Sequence, residues 1–475
     1  MNITKLKRLA VLAVMVCTVS SLMASDDALL DLLVEKGVLT ESEAADVASD
    51  LKKTPPVEES ASQDVSITEQ LVEKKVDEAL EKKAAKKGAV TVSHDKTGFK
   101  VESTDGTWST ELGWRAQMRF TSPYRSDPRQ INDFGDSENT FELRRVRMKI
   151  GGHAYAPWLD YYFEVDLQPT RSEGRDASTT SSRLLDWRIT VQPYEELGFR
   201  LGQWKIDYNR ERVDSSGRQQ FVERSIVNRQ FTIDRQMGAQ VRGRLFSGTP
   251  ADLRYYVGAF SGQGRGVQND DDKLMYAGRL QWNFLGRDLE LRQTDVEFTE
   301  KPTGSISFGA ATNTSRSTRW SSSGGGNLDG FIATENGQFE VEQYQVGSAF
   351  KYRGFSWQQE YHWKKIRDRV NNATFDMDGA YAQAGYFFHY LIPAVPKQLE
   401  LAARYAFVNE PNRGPGLSNR LVDNKREEFT IGANWFIAGH NNKITVDYSR
   451  LYLEDNVLNS DADDGRIRVQ WDISF

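Results

Sequence analysis

The 475-residue chain has a single cysteine, 13 prolines and, past its first two dozen residues, no apolar run long enough for a membrane helix. One thiol, Cys17, excludes an internal disulfide and any paired-thiolate centre. The missing apolar runs exclude a helix bundle in a bilayer. They do not exclude a barrel, whose strands alternate lipid-facing and water-facing residues and so average to the mean hydropathy of −0.60 found here. A basic excess is also lacking: the net charge is −6, which argues against nucleic acid as a partner. Histidine is scarce. His94, His153, His362, His389 and His440 sit in no metal or nucleophile motif, and the glycine-rich stretch Gly262 to Gly266 is followed by no helical pattern. No metal site, no cofactor and no enzyme chemistry are expected.

What is present falls into three stretches. Lys5, Lys7 and Arg8, an apolar run from Leu9 to Val19 and small residues from Ser20 to Ala24 read as a secretory signal over 1–24. Cys17 would leave with it. Residues 25–97 are rich in helix formers and charge. Leu29, Leu32 and Leu33 share one helical face, and Thr40 with Glu43 has the form of a capping box. Thr54-Pro55-Pro56 interrupts, after which Ile67, Leu71, Val76, Ala79 and Leu80 recur at near-helical spacing. A short helical or coiled-coil periplasmic segment reaching toward the cell wall is expected, with a solvated linker as the alternative.

From residue 98 to 475 the pattern is short and alternating, with Gly, Asn, Asp and Pro clusters between segments. Roughly sixteen strands are legible, plus a doubtful one at Glu290 to Phe298 that also reads as a turn. The last strand is clearest. Ile467, Val469, Trp471, Ile473 and Phe475 share one face, and Arg466, Arg468, Gln470, Asp472 and Ser474 the other. Leu399 to Phe407, Phe429 to Ile437 and Leu159 to Leu167 repeat the pattern. The expected fold is an all-β transmembrane barrel of about 16 antiparallel strands in outer-membrane lipid. A soluble sandwich could bury these faces, but would leave the leader, the 11% aromatic content and the terminal Phe475 unexplained. That last residue resembles the signal read by the barrel-assembly machinery.

A barrel of this size is too wide for side chains to fill, so a water-filled channel is expected. Strand parity then sorts the charges. With Trp114, Met118, Val146 and Met148 outward, Arg115, Arg119, Arg145 and Arg147 turn inward, and Arg188, Arg200, Arg242 and Arg244 follow by the same rule. Inward acids such as Glu164, Asp186 and Glu360 are fewer. The segment Asp207 to Gln236 is too long and too charged for a tight turn. It reads as an inward constriction loop bearing Arg210, Arg212, Arg218, Arg224, Arg229 and Arg235. The expected cargo is small anions, phosphate or related oxyanions among them. The alternatives are general diffusion, a sugar channel with Trp204 and Tyr208 as a sliding surface, or a barrel that anchors a periplasmic stalk.

Certain residues carry a family likeness. Phe141-Glu142-Leu143-Arg144-Arg145 through Gly151-Gly152 and Trp158 to Tyr161 resembles the second and third strands of phosphate-selective porins of the O/P type. Gly202-Gln203-Trp204-Lys205, Arg210-Glu211, Phe221 to Ser225 and Asp234 to Gly238 are similar to that family's most recognisable block. The resemblance implies sixteen strands, an inward loop, basic residues along the path and assembly as a homotrimer. A full lysine cluster at the mouths is not matched; Lys273 and Lys425 are the candidates.

Overall fold

The structure, a computed structural model, describes residues 90–95, 98–123, 137–168, 183–269, 271–321, 325–417, 423–456 and 460–475. The expected leader and the helices expected before residue 90 lie outside the described residues. The chain divides at Val90, and the barrel belongs to the unit Thr91–Phe475.

Alternation of apolar and polar residues drives the chain into strands, and pairing closes them into a ring. Two short strands come first, β1 (Val90–Asp95) and β2 (Gly98–Ser103). The wall begins with β3 (Ser109–Ser122), β4 (Thr140–Ala154), β5 (Ala156–Asp166), β6 (Arg183–Val191), β7 (Gly198–Lys205) and β8 (Arg235–Leu245). It continues with β9 (Leu253–Phe260), β10 (Met275–Trp282), β11 (Thr303–Ser315), β12 (Phe339–Tyr352) and β13 (Phe355–Asp368). The last five are β14 (Ala373–Tyr386), β15 (Leu399–Asn409), β16 (Asn424–Phe436), β17 (Asn442–Asp455) and β18 (Ser460–Ser474). Each wall strand pairs antiparallel with the next, and β18 returns to β3 in a ladder from Ile467↔Ser122 to Ser474↔Arg115. The result is a closed barrel of sixteen strands, β3 to β18, with β2 added to the start of β3. Closure leaves no unpaired strand edge, which hydrocarbon would not tolerate.

Burial along the wall is the reverse of a soluble fold. Ile431 is 50% exposed and Trp471 43%, whereas Arg404 is 2% and Arg468 4% exposed. Apolar outer faces of this kind need lipid against them.

Connections differ between the two mouths. On the side of Ser109 and Phe475 most are short, such as Tyr155 alone between β4 and β5, or Arg353-Gly354 between β12 and β13. Longer loops, including 206–234, 261–274 and 316–338, leave the other mouth. Phe387 to Gln398 breaks the rule, and Asn283 to Pro302, on the same short-turn side, breaks it further. The second contains the doubtful segment Glu290 to Phe298, which is not a strand. There the Asp295 carboxylate accepts the Thr299 and Gly354 backbone N–H groups, at 3.1 and 2.7 Å, and folds the chain into a compact turn.

The main apolar cluster lies inside the barrel. Loop 206–234, with its short helices α1 (Arg210–Val213) and α2 (Val227–Phe231), carries Ile206, Tyr208, Ile226, Val227, Phe231 and Ile233 inward. They pack on inner-face Met275, Val341, Ile366, Phe375, Met377 and Val408, and on Trp320, Leu328 and Phe331 of loop 316–338. Part of the inner wall is apolar because it seats a loop.

Candidate permeation pathway

Strand side chains anchor the inward loop by its backbone: amide and basic groups donate to its carbonyls, as Gln343, Arg404 and Asn434 do, and carboxylates accept from its N–H groups. The Glu360 carboxylate of β13 accepts the N–H of Arg210 and the amide of Asn209, the latter at 2.9 Å. Glu428 of β16 accepts Ile226 N–H at 3.0 Å, and Asp447 of β17 accepts Val222 N–H at 2.9 Å. A loop's amides cannot be buried without such partners.

Two of the expected channel arginines serve the loop instead. Arg224, buried, donates Nε to the Glu211 carbonyl at 2.7 Å and Nη2 to the Asp214 carbonyl at 2.6 Å. Arg210, also buried, donates to Gln358 Oε1 at 3.0 Å and to the Glu290 carbonyl. Their charge is spent on backbone and amide oxygens. Arg212 is paired with Asp234 at 2.6 Å, and the Arg229 carbonyl accepts Ser321 Oγ at 2.5 Å. Arg235 belongs to β8 rather than to the loop and bonds Asp186 at 2.7 Å. Arg218 alone among the six is exposed.

Glu211 links the loop to pH. Its carboxylate accepts Ser225 N–H at 2.7 Å and Ser225 Oγ at 2.9 Å. Burial nonetheless pushes its pKa up to about 7, against the pull of Arg404. A raised carboxyl pKa means the folded loop holds a proton that the unfolded chain gives up near 4.5. Stability from this group is therefore full below about pH 4.5 and is lost as pH rises toward 7. The temperature at which the folded band disappears on a gel should fall between pH 5 and 8, and fall less in Glu211→Gln, whose amide still serves Ser225. Equal slopes for both proteins would refute this.

On the wall between β3 and β8 parity holds except at bulges, one that turns Leu185 and Asp186 inward together and one between β3 and β4. Pairing slips between Gln117 and Met118, and the register passes from Arg145 to Leu143. This bulge turns Arg144 inward beside Arg145. Arg119, Arg144 and Arg145 then converge on Glu223 of the loop at 2.9, 2.8 and 3.6 Å. Burial would raise the Glu223 carboxyl, but Arg144, Arg119 and Arg145 together hold it well below the usual carboxylate range. Arg147 is engaged by Glu164 at 2.6 Å and Asp166 at 3.3 Å. Arg115 reaches the loop at Ser215 and Ser216, at 3.0 and 2.7 Å.

A cavity of about 890 Å³ remains open along this wall, toward the short-turn mouth. Its cations are held in a different manner. The guanidinium of Arg188 lies 4.4 Å from the Tyr162 ring centre, Arg242 5.1 Å from Tyr256, and Arg200 5.7 Å from Trp204. Aromatic faces fix an arginine without cancelling its charge. Among the described residues Arg188, Arg242, Lys149 and Arg218 have no carboxylate within ion-pair distance, and Arg200 has Asp207 at 3.6 Å. Arg244 departs from the expected pathway. It sits at the rim, bound to Asp252 and to Glu195 at 3.0 Å, and does not line the cavity.

Parity reasoning missed Arg144, because it forces neighbours to opposite faces. It turned Tyr162 inward without giving it a role, and it did not single out the ring platform Tyr256. The Arg144-Arg145 doublet was the visible hint of a bulge.

Comparison with known proteins places this geometry. The family model described as phosphate-selective porin O and P matches residues 117–473. An uncharacterized protein of Aquifex aeolicus strain VF5 is 24% identical over 424 residues, 84% of this chain and 94% of that one. Among solved structures, the outer membrane channel DcaP of Acinetobacter baumannii aligns over 80% of this chain and 100% of its own, at 11% identity and TM-score 0.53. A loop-deletion variant of OmpT, an outer membrane protein of Vibrio cholerae, covers 78% and 100% at 10% identity and TM-score 0.51.

Proposed function

Because the chain belongs to the phosphate-selective porin O and P family and is a channel of the bacterial outer membrane, we propose that it admits small anions, phosphate and related oxyanions among them, along the arginine wall of β3 to β8. Family membership makes it a channel and not an enzyme. The observation that carries the anion reading is the excess of cations on one open cavity, where Lys149, Arg188, Arg218 and Arg242 have no ion-pair partner among the described residues although Glu111 and Asp160 also line it.

The physics is additive. At about 7 Å in water one unit charge contributes roughly 0.6 kcal/mol to another. Four such neighbours supply ~2 kcal/mol before screening, or tens of fold in local anion concentration, and less at high salt. Arginine adds planar paired donors that fit phosphate oxygens. A series of moderate sites also favours passage, since one deep site would hold its ion.

The same proposal includes processing after residue 24, a helical or coiled-coil segment facing the cell wall in the part of 25–97 that precedes the strand Val90–Asp95, insertion through Phe475, and a homotrimer. A sugar-sliding surface is poorly supported, because Trp204 is 1% and Tyr208 0% exposed.

The test is a reversal potential in planar bilayers under a KCl gradient, followed by phosphate titration. An anion-directed potential and partial block of chloride current by phosphate are expected. A cation-directed potential would overturn the selectivity and leave the barrel intact. Absence of phosphate block would remove the oxyanion preference alone, and absence of any conductance would favour an anchoring role.

A further inference from the structure

We propose that the connection Asn283 to Pro302 is a second constricting element, which enters the lumen from the mouth opposite loop 206–234 and confines permeation to the arginine wall. The inference rests on the channel reading above and adds the element that sets the lower boundary of the path.

The connection is long where its neighbours on that mouth are mostly short, and its middle is buried. Leu289, Gln293, Thr294 and Asp295 are 4, 3, 1 and 1% exposed. It is tied to the rim turn at Gly354 through Asp295 and is locked as well to the loop from the far mouth. Gln293 Oε1 accepts Gln220 N–H at 2.8 Å, and Gln293 Nε2 donates to Gln219 Oε1 at 2.8 Å. Arg210 of α1 reaches down to the carbonyls of Leu289 and Arg292, each at 3.5 Å, and to that of Glu290. Gln383 of β14 donates to Gln293 Oε1 at 3.1 Å, and Thr294 hydrogen-bonds His440 of the β16–β17 turn at 3.0 Å.

These contacts join two inward segments into one partition standing against β13 to β17. The partition is built largely of amide side chains and backbone groups that satisfy one another. The charged groups in it are spent as well, Arg210 and Lys443 on backbone carbonyls and Glu400 on Gln220 Nε2 at 2.7 Å, which leaves little to hold a passing ion. Leu291, next to the lock, borders the open cavity together with His440 and Asn441. An anion leaving Arg218 thus passes between Leu291 on one side and Arg115 and Lys149 on the other. Without the connection, the lumen below the loop would open onto the β12 to β14 face, which bears Gln358 and Gln383 with Lys351 in place of a row of arginines.

The test places one cysteine at the boundary. In a Cys17→Ser background, Leu291→Cys reconstituted as the full channel should react with a bulky uncharged methanethiosulfonate added to either chamber. Its single-channel current should then drop by about a third or more, since a side chain bordering the path narrows it. A channel that resists labelling, or one labelled to completion with unchanged current, would overturn the proposal. A second variant replaces Leu289 to Asp295 with Gly-Ser residues of equal number. Conductance should rise about twofold and the anion preference should weaken; unchanged conductance would again overturn it. Either readout stands apart from the anion proposal, because current block at position 291 is expected whichever ion carries the current.

Discussion

Exchanging Arg188 and Arg242 together for glutamate is expected to turn an anion-directed reversal potential into one near zero or cation-directed. Both guanidiniums face the open cavity, and both are held by tyrosine rings rather than by acids. Each exchange moves the local charge by two units, four in all. At roughly 0.6 kcal/mol per unit charge at about 7 Å, the change approaches ~2 kcal/mol before screening, enough to alter the ratio of anion to cation permeability by tens of fold. The barrel should survive, since a cation–π pair at such a site is worth only about 0.5–1 kcal/mol. Glutamine at both positions should produce about half the shift if summed charge is the cause. The measurement is the zero-current potential across a KCl gradient at low and high total salt. An unmoved potential would show that these arginines do not border the ion path.

A second variant should do the opposite, leaving the sign of selectivity alone and disturbing the conductance itself. In Arg224→Met the buried carbonyls of Glu211 and Asp214 lose their donor, as does that of Arg212 at 3.4 Å. Unsatisfied buried acceptors cost about 1–3 kcal/mol each. The loop should then leave its seat for part of the time, giving a larger and noisier current with flickering between levels. Lysine should not restore the wild-type trace, because one ammonium cannot span the carbonyls that a planar fork reaches. Steady wild-type conductance in Arg224→Met would mean the loop is seated without this staple. The two variants separate arginines that meet the ion from arginines that meet the backbone. A count of basic residues in the sequence cannot make that distinction.

Loop 206–234 shows why. Read as a string it is conspicuous for charge, with Arg210, Arg212, Arg218, Arg224 and Arg229 among Asp207, Glu211, Asp214 and Glu223. Its Tyr208, Phe221, Ile226, Val227, Phe231 and Ile233 are what take it indoors, and they lie at no regular spacing that would announce a buried face. Once indoors, each arginine must find an acceptor or face water. Arg210, Arg212 and Arg224 find acceptors on this loop or on segments that pack against it, and Arg218 faces the cavity.

Sidedness is written in the chain itself. Side chains alternate along any extended strand, so Trp471 and Arg468, or Ile431 and Thr430, must point opposite ways whatever their neighbours are. The apolar face then has to meet lipid. From that rule came the closed wall and the inward placement of Arg115, Arg119, Arg145, Arg147, Arg188, Arg200 and Arg242. Which of these charges stay free is set only when the barrel has closed. Arg119 meets Gln470 of β18 and Glu223 of the loop, and Arg147 meets Glu164, while Arg188 meets a ring. The partners of Arg119 are brought to it by closure of the ring and by the loop folded into it, and those of Arg147 and Arg188 by the register of adjacent strands. Local alternation carries no record of either, because it fixes a direction and not what lies there.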